Sequence, residues 1–190
     1  MSLTYRALED LTSQILQEVP GCPPNQVTLN LSRAVREFLQ RTQIWKAKVS
    51  IPIDTLTTVY SFDTSEDIYI DEVCGVEIEG VGYLSDIELT GEIEFTVSSQ
   101  FVSDHDGETM VLEAAVVPYS LPCAIPSRIV NRYSEFLKAG ALSYIFGSVN
   151  RPYSNVQKAD ESVIKFRKGL RRGTRDAEAK NKRVSVNWGG

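Results

Sequence analysis

Residues 126–173 contain two stretches with helical periodicity, joined by a corner that a proline enforces. Apolar residues recur at the i, i+3, i+4, i+7 spacing of one helical face in residues 129–145 and again in residues 156–170. Between them, Asn150-Arg151-Pro152 predicts a non-helical link, because proline disfavours helical geometry in the residue before it. Neither helix can bury its apolar face alone, so both need partners elsewhere in the chain.

The beginning of the chain supplies possible partners for this helix pair. Residues 4–19 carry an apolar stripe that ends at Pro20-Gly21, and Asn25 can cap a second stripe that runs to about Arg41. Both helices are short and amphipathic, so they also need packing partners. We therefore predict a four-helix bundle assembled from the two ends of the chain.

Between these ends the period of the apolar residues changes from 3.6 to 2. The alternating or continuously apolar segments are 48–53, 59–62, 73–79, 86–89, 92–97 and 109–117. Short alternating strands with turn residues between them indicate an antiparallel sheet or a small barrel. Pro52 predicts that the first strand lies at an edge of the sheet or ends there.

Together these patterns predict an α+β fold with four segments. Helices 1 and 2 occupy residues 1–44, an inserted antiparallel β domain occupies residues 45–122, and helices 3 and 4 occupy residues 123–178. Residues 179–190 have no usable period, and we interpret them as an extended C-terminal arm that is disordered when free.

Composition narrows the class of protein further. No apolar run approaches the roughly 20 residues that a membrane helix needs, and the first residues lack the basic and apolar blocks of a secretory signal. The three cysteines, Cys22, Cys74 and Cys123, are an odd number without a C-x-x-C pair. They fit reduced thiols in a cytosolic compartment better than a disulfide framework.

Charge is distributed unevenly along the chain, whose formal net charge is −5. Residues 43–124 hold two lysines and sixteen acids, whereas residues 125–190 hold fourteen basic residues and five acids. Such a separation bears on partners and solubility. It suits a molecule that packs beside copies of itself or docks on an acidic surface.

Few residues suggest catalysis or metal binding. Asp104-His105-Asp106-Gly107-Glu108 gathers the single histidine with three carboxylates, a conceivable metal site. The competing interpretation is a hairpin turn, because Asp-Gly is a strong turn dipeptide. No nucleophile, phosphate-loop or zinc-protease motif is present, and we expect no catalytic residue, metal or cofactor.

The last helix begins with Ser154 and Gln157 at capping-box spacing, and its polar face is basic. The cations on this face and beyond it are Lys165, Arg167, Lys168, Arg171, Arg172, Arg175, Lys180, Lys182 and Arg183. They could bind phosphates, be solvated near a helix C-terminus, or dock on an acidic protein surface. Trp188 favours docking, because tryptophan and arginine are common anchors of interfaces.

Three stretches, in this order, resemble a known family. They are LSRAVREFLQRTQIWKAKVSIPI, LPCAIPSRIVNRYSEFLKAGALSYIF and NRPYSNVQKADESVIKFRKGLRRG. Arg-Glu-Phe, Trp, Leu-Pro, Gly-Ala-Leu and Pro-aromatic elements recur in them at roughly fixed spacing. The chain resembles the head-to-tail adaptor proteins of tailed bacteriophages, also called connector, head-completion or tail tubular proteins, over most of residues 1–175.

The resemblance implies a structural virion protein at the neck between head and tail, assembled in the host cytoplasm. Copies would form a ring, typically a dodecamer, that binds the portal protein, extends the DNA channel and offers a surface to the next tail protein during tail assembly. DNA would pass through during ejection without sequence-specific binding. The resemblance places the portal contact at Arg171, Arg172, Arg175, Lys182, Arg183, Val184, Val186 and Trp188.

Two complementary faces are needed when a head-to-tail interface closes into a ring, and the acidic middle and basic end could supply them. The acidic candidates for the channel lining or for contacts between subunits are Glu77, Glu79, Glu88, Glu92 and Glu94. The alternatives are a nucleic-acid-binding module that uses the basic helix and arm, a small enzyme with a site in the β part, and a neck protein that contacts another ring.

Overall fold

The computed structural model describes residues 5–6, 8–54, 56–62, 68–78, 82–84, 87–91, 94–119 and 125–185. Within these residues the protein is mixed α+β, with five helices and antiparallel sheets. The chain divides into two compact units, a helical unit from residues 1–44 and 120–190 and a β unit from residues 45–119. None of the described helices is long and apolar enough to cross a membrane.

Five helices and nine strands are described. The helices are α1 (Glu9–Glu18), α2 (Pro24–Thr42), α3 (Ser99–Asp104), α4 (Ser127–Phe146) and α5 (Val156–Ser185). The strands are β1 (Tyr5–Arg6), β2 (Lys46–Pro52), β3 (Val59–Ser61), β4 (Ile68–Ile78), β5 (Gly82–Leu84), β6 (Ile87–Leu89), β7 (Glu94–Val97), β8 (Thr109–Pro118) and β9 (Ile125–Pro126).

In the helical unit, the apolar stripes meet as the sequence indicates that they must. Helix α4 packs against α2 and α5, α2 also contacts α5, and α1 contacts α2 and α4. Phe38 of α2 is fully buried, with its ring centroid 5.0 Å from that of Tyr133 and 6.4 Å from that of Phe166. Strands β1 and β9 form a two-residue antiparallel pair in the same unit. Residues far apart in sequence therefore share one core.

Glycine permits the closest approach between α4 and α5. A β-carbon added at Gly169 of α5 would lie 2.4 Å from Cβ of Phe136 on α4, and one at Gly140 of α4 would lie 2.8 Å from the Phe166 ring. Such distances are below van der Waals contact, so a larger residue would force the two helices apart.

The described residues of the β unit form two antiparallel sheets. The larger has the strand order β2-β8-β4-β5 and the smaller the order β3-β7-β6. Strand β8 is central, and Leu112, Ala114, Val116 and Val117 are fully buried, as its continuous apolar run predicts for an interior strand. Strand β2 lies at the edge and ends at Pro52, which confirms the prediction made from that proline.

Four local predictions are wrong. The helix expected from residue 4 begins only at Glu9, because Tyr5 and Arg6 pair with β9 as strand β1. Residues 179–185, expected in an extended arm, continue helix α5 to Ser185. The cap of α5 is Asn155, whose Oδ1 accepts from the Lys158 amide at 3.0 Å, whereas the Ser154 hydroxyl accepts from Arg151 N and donates to Ser148 O. The β unit also contains the unexpected helix α3, and Asp106-Gly107 connects α3 to β8 instead of closing a hairpin.

Strand β4 is longer than the alternating segment predicted from the sequence, because the register of its pairing with β8 is irregular. It starts at Ile68, whereas the alternation starts at Val73. Its pairing with β8 shifts between Ile70 and Glu72 and again between Val73 and Gly75. Such bulges interrupt the period of two from which a strand is recognised in sequence.

Candidate functional site

A row of arginines runs along one exposed face of α5. Arg167, Arg171 and Arg175 recur every fourth residue and are all exposed. With a rise of 1.5 Å per residue, their attachment points lie about 6 Å apart along the helix axis. The row is therefore a regular line of positive charge on the surface of the helical unit.

This row forms one wall of an open groove of about 1160 Å³. The groove is lined by Arg41, Arg167, Leu170, Arg171, Thr174 and Arg175. Arg41 comes from the last turn of α2, and the Thr174 hydroxyl donates to its main-chain oxygen at 3.5 Å. Leu170 is buried and gives the groove an apolar floor. We call this feature the arginine groove.

Little of the positive charge in the arginine groove is neutralised from within. Nε of Arg41 lies 3.1 Å from Oε1 of Glu37, but the Arg41 side chain is 64% exposed, so this pair is weak. Arg175 donates from Nε to the main-chain oxygen of Arg171 at 3.4 Å. In the part of the chain that the structure describes, no carboxylate pairs with Arg167 or Arg171. These two guanidinium groups can therefore donate hydrogen bonds to an external anion.

A second groove, of about 610 Å³, adjoins the first through Arg41. Its lining consists of Leu29, Ser32, Arg33, Arg36, Glu37, Gln40, Arg41 and Tyr144. The guanidinium of Arg33 lies 4.2 Å from the centroid of the Tyr144 ring, a cation–π contact. The Tyr144 hydroxyl donates to Glu37. The second groove thus has a carboxylate, Glu37, in its lining, whereas the described lining of the arginine groove has none.

Two tyrosines of α4, Tyr133 buried and Tyr144 half-buried, hold carboxylates of the neighbouring helices. The Tyr133 hydroxyl of α4 donates to Asp176 of α5, whose Oδ2 also lies 2.8 Å from Nη2 of Arg132. Burial, followed by the hydrogen bond to Asp176, raises the pKa of Tyr133 to about 12. Burial, followed by the hydrogen bond to Glu37, raises the pKa of Tyr144 to about 12. Both phenols stay neutral at physiological pH and cross-link α4 to its neighbours.

The same hydrogen bond acts on the acid. The pKa of Asp176 is lowered, first by the hydrogen bond from Tyr133 and also by the charge of Arg132. Asp176 is therefore ionised, and its carboxylate is already paired with Tyr133 and Arg132. It lies one residue after Arg175. Neither Asp176 nor Tyr133 lines the arginine groove.

The structure brings together only part of the basic set proposed for the portal contact. Arg171 and Arg175 lie in the arginine groove, whereas Arg172 is exposed on α5 without lining it. Lys182, Arg183 and Val184 belong to the helical backbone of α5, and nothing is described of their side chains. Val186 and Trp188 lie outside the described residues.

The acidic candidates are divided between two sheets. Glu77 is a half-buried residue of β4 in the larger sheet. Glu88 and Glu94 are exposed in the smaller sheet, where Glu88 pairs with Thr96 and so shares a face with Glu94. Glu79 and Glu92 lie outside the described residues.

The histidine-containing turn has an ordinary local structure. Nδ1 of His105 lies 3.1 Å from Oε2 of Glu108, and its ring packs on Phe101 with centroids 4.9 Å apart. Asp104 accepts from Gln100 Nε2 at 2.8 Å. Among the described residues, no group of three or more possible ligands is placed to hold a metal ion.

Sequence reasoning included Arg167 among the basic residues of the last helix but missed the contribution of α2. Arg33, Arg36 and Arg41 line the grooves from the polar side of α2, outside its apolar stripe. Their spacing on that polar side was visible in the sequence. That Arg41 faces the row on α5 depends on tertiary packing, which no local pattern records.

The family models that were searched include none that matches this chain. The curated proteins include none with significant similarity to it.

Proposed function

We propose that this chain is a structural virion protein, a head-to-tail adaptor of a tailed bacteriophage. Its copies would form a ring on the portal, extend the DNA channel and provide the surface to which the tail attaches. The proposal starts from the resemblance in the order of sequence motifs. In its finer form, α1, α2, α4 and α5 constitute the four-helix bundle of such an adaptor.

The observation that carries the proposal is the arginine groove. A chain with a formal net charge of −5 presents on its last helix guanidinium groups that its own described carboxylates leave unpaired. Arginines held in a groove with an apolar floor are typical of a protein contact, because the guanidinium supplies fixed donors while its stem packs on apolar surface. Such a surface is suited to docking on a larger assembly.

The charged surfaces of the two units, each taken by itself, also support ring formation. The helical unit carries the arginine groove, and the β unit carries exposed Glu88 and Glu94 on one sheet face. A closed ring needs two different faces on each subunit. We propose that these acids, with Glu77, Glu79 and Glu92, line the channel or contact the neighbouring subunit.

Light scattering would test the adaptor function directly. The purified chain is measured alone and then mixed with the portal ring of the phage that encodes it. We expect the mixture to gain one copy of the chain for each portal subunit. Deletion of residues 182–190 should weaken this assembly, because the resemblance places part of the portal contact there. If the mass of the portal ring does not increase when the chain is added, the proposal is contradicted.

The arginine groove also favours a second candidate, a nucleic-acid-binding module. Phosphates could pair with Arg167, Arg171 and Arg175, and the affinity would then fall steeply with salt. This candidate predicts that the chain alone shifts a short DNA duplex at low salt. DNA binding without any portal binding would favour the module over the adaptor.

A further inference from the structure

The arginine groove combines three properties that restrict what can occupy it. Its positive charge comes from two walls, with Arg41 on α2 facing the row on α5. The floor between the walls is the apolar side chain of Leu170. The guanidinium groups of Arg167 and Arg171 have no carboxylate partner among the described residues. An occupant should therefore be anionic at its edges and apolar where it meets the floor.

The spacing of the arginines adds a second restriction. Arg167, Arg171 and Arg175 present donors about every 6 Å along α5. Carboxylates four residues apart on a helix have the same repeat of about 6 Å. The planar fork of arginine pairs with a carboxylate through two parallel hydrogen bonds. Each arginine of the row can thus pair with one carboxylate of a helical segment that lies along it.

Nucleic acid meets the charge requirement but fits the floor poorly. No aromatic side chain is among the described residues that line the arginine groove, so unpaired bases would have no stacking platform there. The rest of a duplex would also face a chain whose formal net charge is −5. A glutamate side chain differs because its methylene stem can lie on Leu170 while its carboxylate reaches the walls.

We propose that the arginine groove binds an acidic protein segment whose carboxylates recur about every 6 Å, an inference that rests on the proposed function in taking the partner to be a protein. Arg167 and Arg171 each pair with one carboxylate. Arg41 closes the segment in from the opposite wall. Leu170 contacts the aliphatic stems of the bound side chains.

A synthetic peptide tests the proposal on the full chain. The probe is a fluorescent helical peptide with glutamates at positions i, i+4 and i+8, and its matched control has glutamines at those positions. Anisotropy should show binding of the glutamate peptide that weakens with added salt, since the pairs are exposed to solvent. The glutamine peptide should bind at least about tenfold more weakly.

Substitutions then locate the binding. Arg167→Gln with Arg171→Gln should weaken binding of the glutamate peptide by about tenfold or more, because two charged pairs are lost. Lys168→Gln is the matched control, as Lys168 is exposed on the same helix but does not line the groove. Circular dichroism checks that all variants keep their helical content.

Four results would overturn the proposal, three of which concern the peptide. Those three are equal binding of the two peptides, equal effects of the double and control substitutions, and displacement of the peptide by a short DNA duplex at lower concentration than by unlabelled peptide. Self-association of the chain that Arg167→Gln with Arg171→Gln abolishes would also overturn it, because the occupant would then be a second copy. If the peptide does not bind but the chain still adds to portal rings, the groove proposal is wrong and the adaptor function is unaffected. If the peptide binds but the chain does not add to portal rings, only the adaptor function is contradicted.

Discussion

Tyr133 and Tyr144 show how single residues tie the helical unit together. They lie three turns apart on α4, and each donates its hydroxyl to a carboxylate on a different helix, Asp176 on α5 and Glu37 on α2. Each carboxylate also has an arginine partner. Helix α4 is thus held to α2 and α5 by polar links in addition to its apolar contacts.

These tyrosines should make the protein sensitive to alkaline conditions. A tyrosine in the unfolded chain titrates near pH 10, whereas folding raises the pKa of both to about 12. The folded state holds the proton more tightly, so this contribution to the free energy of unfolding is complete below pH 10 and is lost as the pH rises towards 12. Urea denaturation at about pH 8 and about pH 11 measures the loss.

The double variant Tyr133→Phe with Tyr144→Phe should lose less stability than the wild type over that interval. At about pH 8 it should already be less stable by roughly 1–3 kcal/mol for each hydrogen bond to a charged group. Equal losses between the two pH values in both proteins would contradict this account.

At the scale of single residues, local signals in the sequence predicted some structural roles correctly and others wrongly. Pro52 identified the end of an edge strand because proline lacks the N–H that a paired strand requires. Ser154 was expected to cap α5, but the adjacent Asn155 has equal capping ability and takes that role. Choosing between neighbouring capping residues depends on the path of the preceding loop, which the sequence pattern does not encode.

At the scale of elements, α4 and α5 meet through a glycine contact. Gly169 faces Cβ and Cγ of Phe136, and an added β-carbon would lie 2.4 Å from each. Both of those atoms lie near the main chain of α4, so they cannot swing away as the tip of a long side chain could. The separation of the two helices is therefore set by the absence of a side chain.

Gly169→Ala should destabilise the protein although alanine is the better helix former. The gain in helix propensity is about 1 kcal/mol, whereas overpacking a core costs typically about 1–3 kcal/mol, and the contact here is severe. Lys168→Ala, one residue earlier and exposed, is the matched control and should be nearly neutral. Thermal denaturation compares them, and a melting temperature for Gly169→Ala at or above the wild type would contradict the packing argument.

Elements were predictable where one pattern dominated. Amphipathic stripes identified α1, α2, α4 and α5 because each buries one face. The apolar run identified β8 because both faces of its second half, residues 114–118, are buried. Helix α3 was missed because its six residues are too few to show a helical period. The last turns of α5 were missed because their polar sequence has no stripe to follow.

At the scale of the whole molecule, the protein has two cores. Phe38, Tyr133 and Leu137 are buried in the helical unit, and Leu112 and Met110 are buried in the β unit. Each unit is compact by itself. Units with separate cores can open separately.

Leu112→Ala should therefore act mainly on the β unit. Removing a fully buried leucine side chain costs about 2–5 kcal/mol. Hydrogen exchange should speed up in residues 45–119 and change little in α4. Val59→Ala, at an exposed position of the same unit, serves as the control. Equal acceleration in α4 would show that the two units unfold as one.

The arginine groove also belongs to this scale. Arg41 and Arg171 are brought to one site only because α2 and α5 pack together. Sequence reasoning identified the basic face of α5, since that face is continuous in the chain. It could not assign the opposite wall, because nothing local links a residue before the β unit to a residue after it.

The split of the helical unit across the chain has a consequence for biosynthesis. Helices α1 and α2 leave the ribosome before the β unit, yet they pack against α4 and α5, which follow it. Translation proceeds at about 5–20 residues per second. The apolar faces of α1 and α2 therefore stay exposed for several seconds before α4 and α5 are synthesised. The β unit can close as soon as β8 emerges. Chaperone dependence in the cell should accordingly be concentrated in the first helices made.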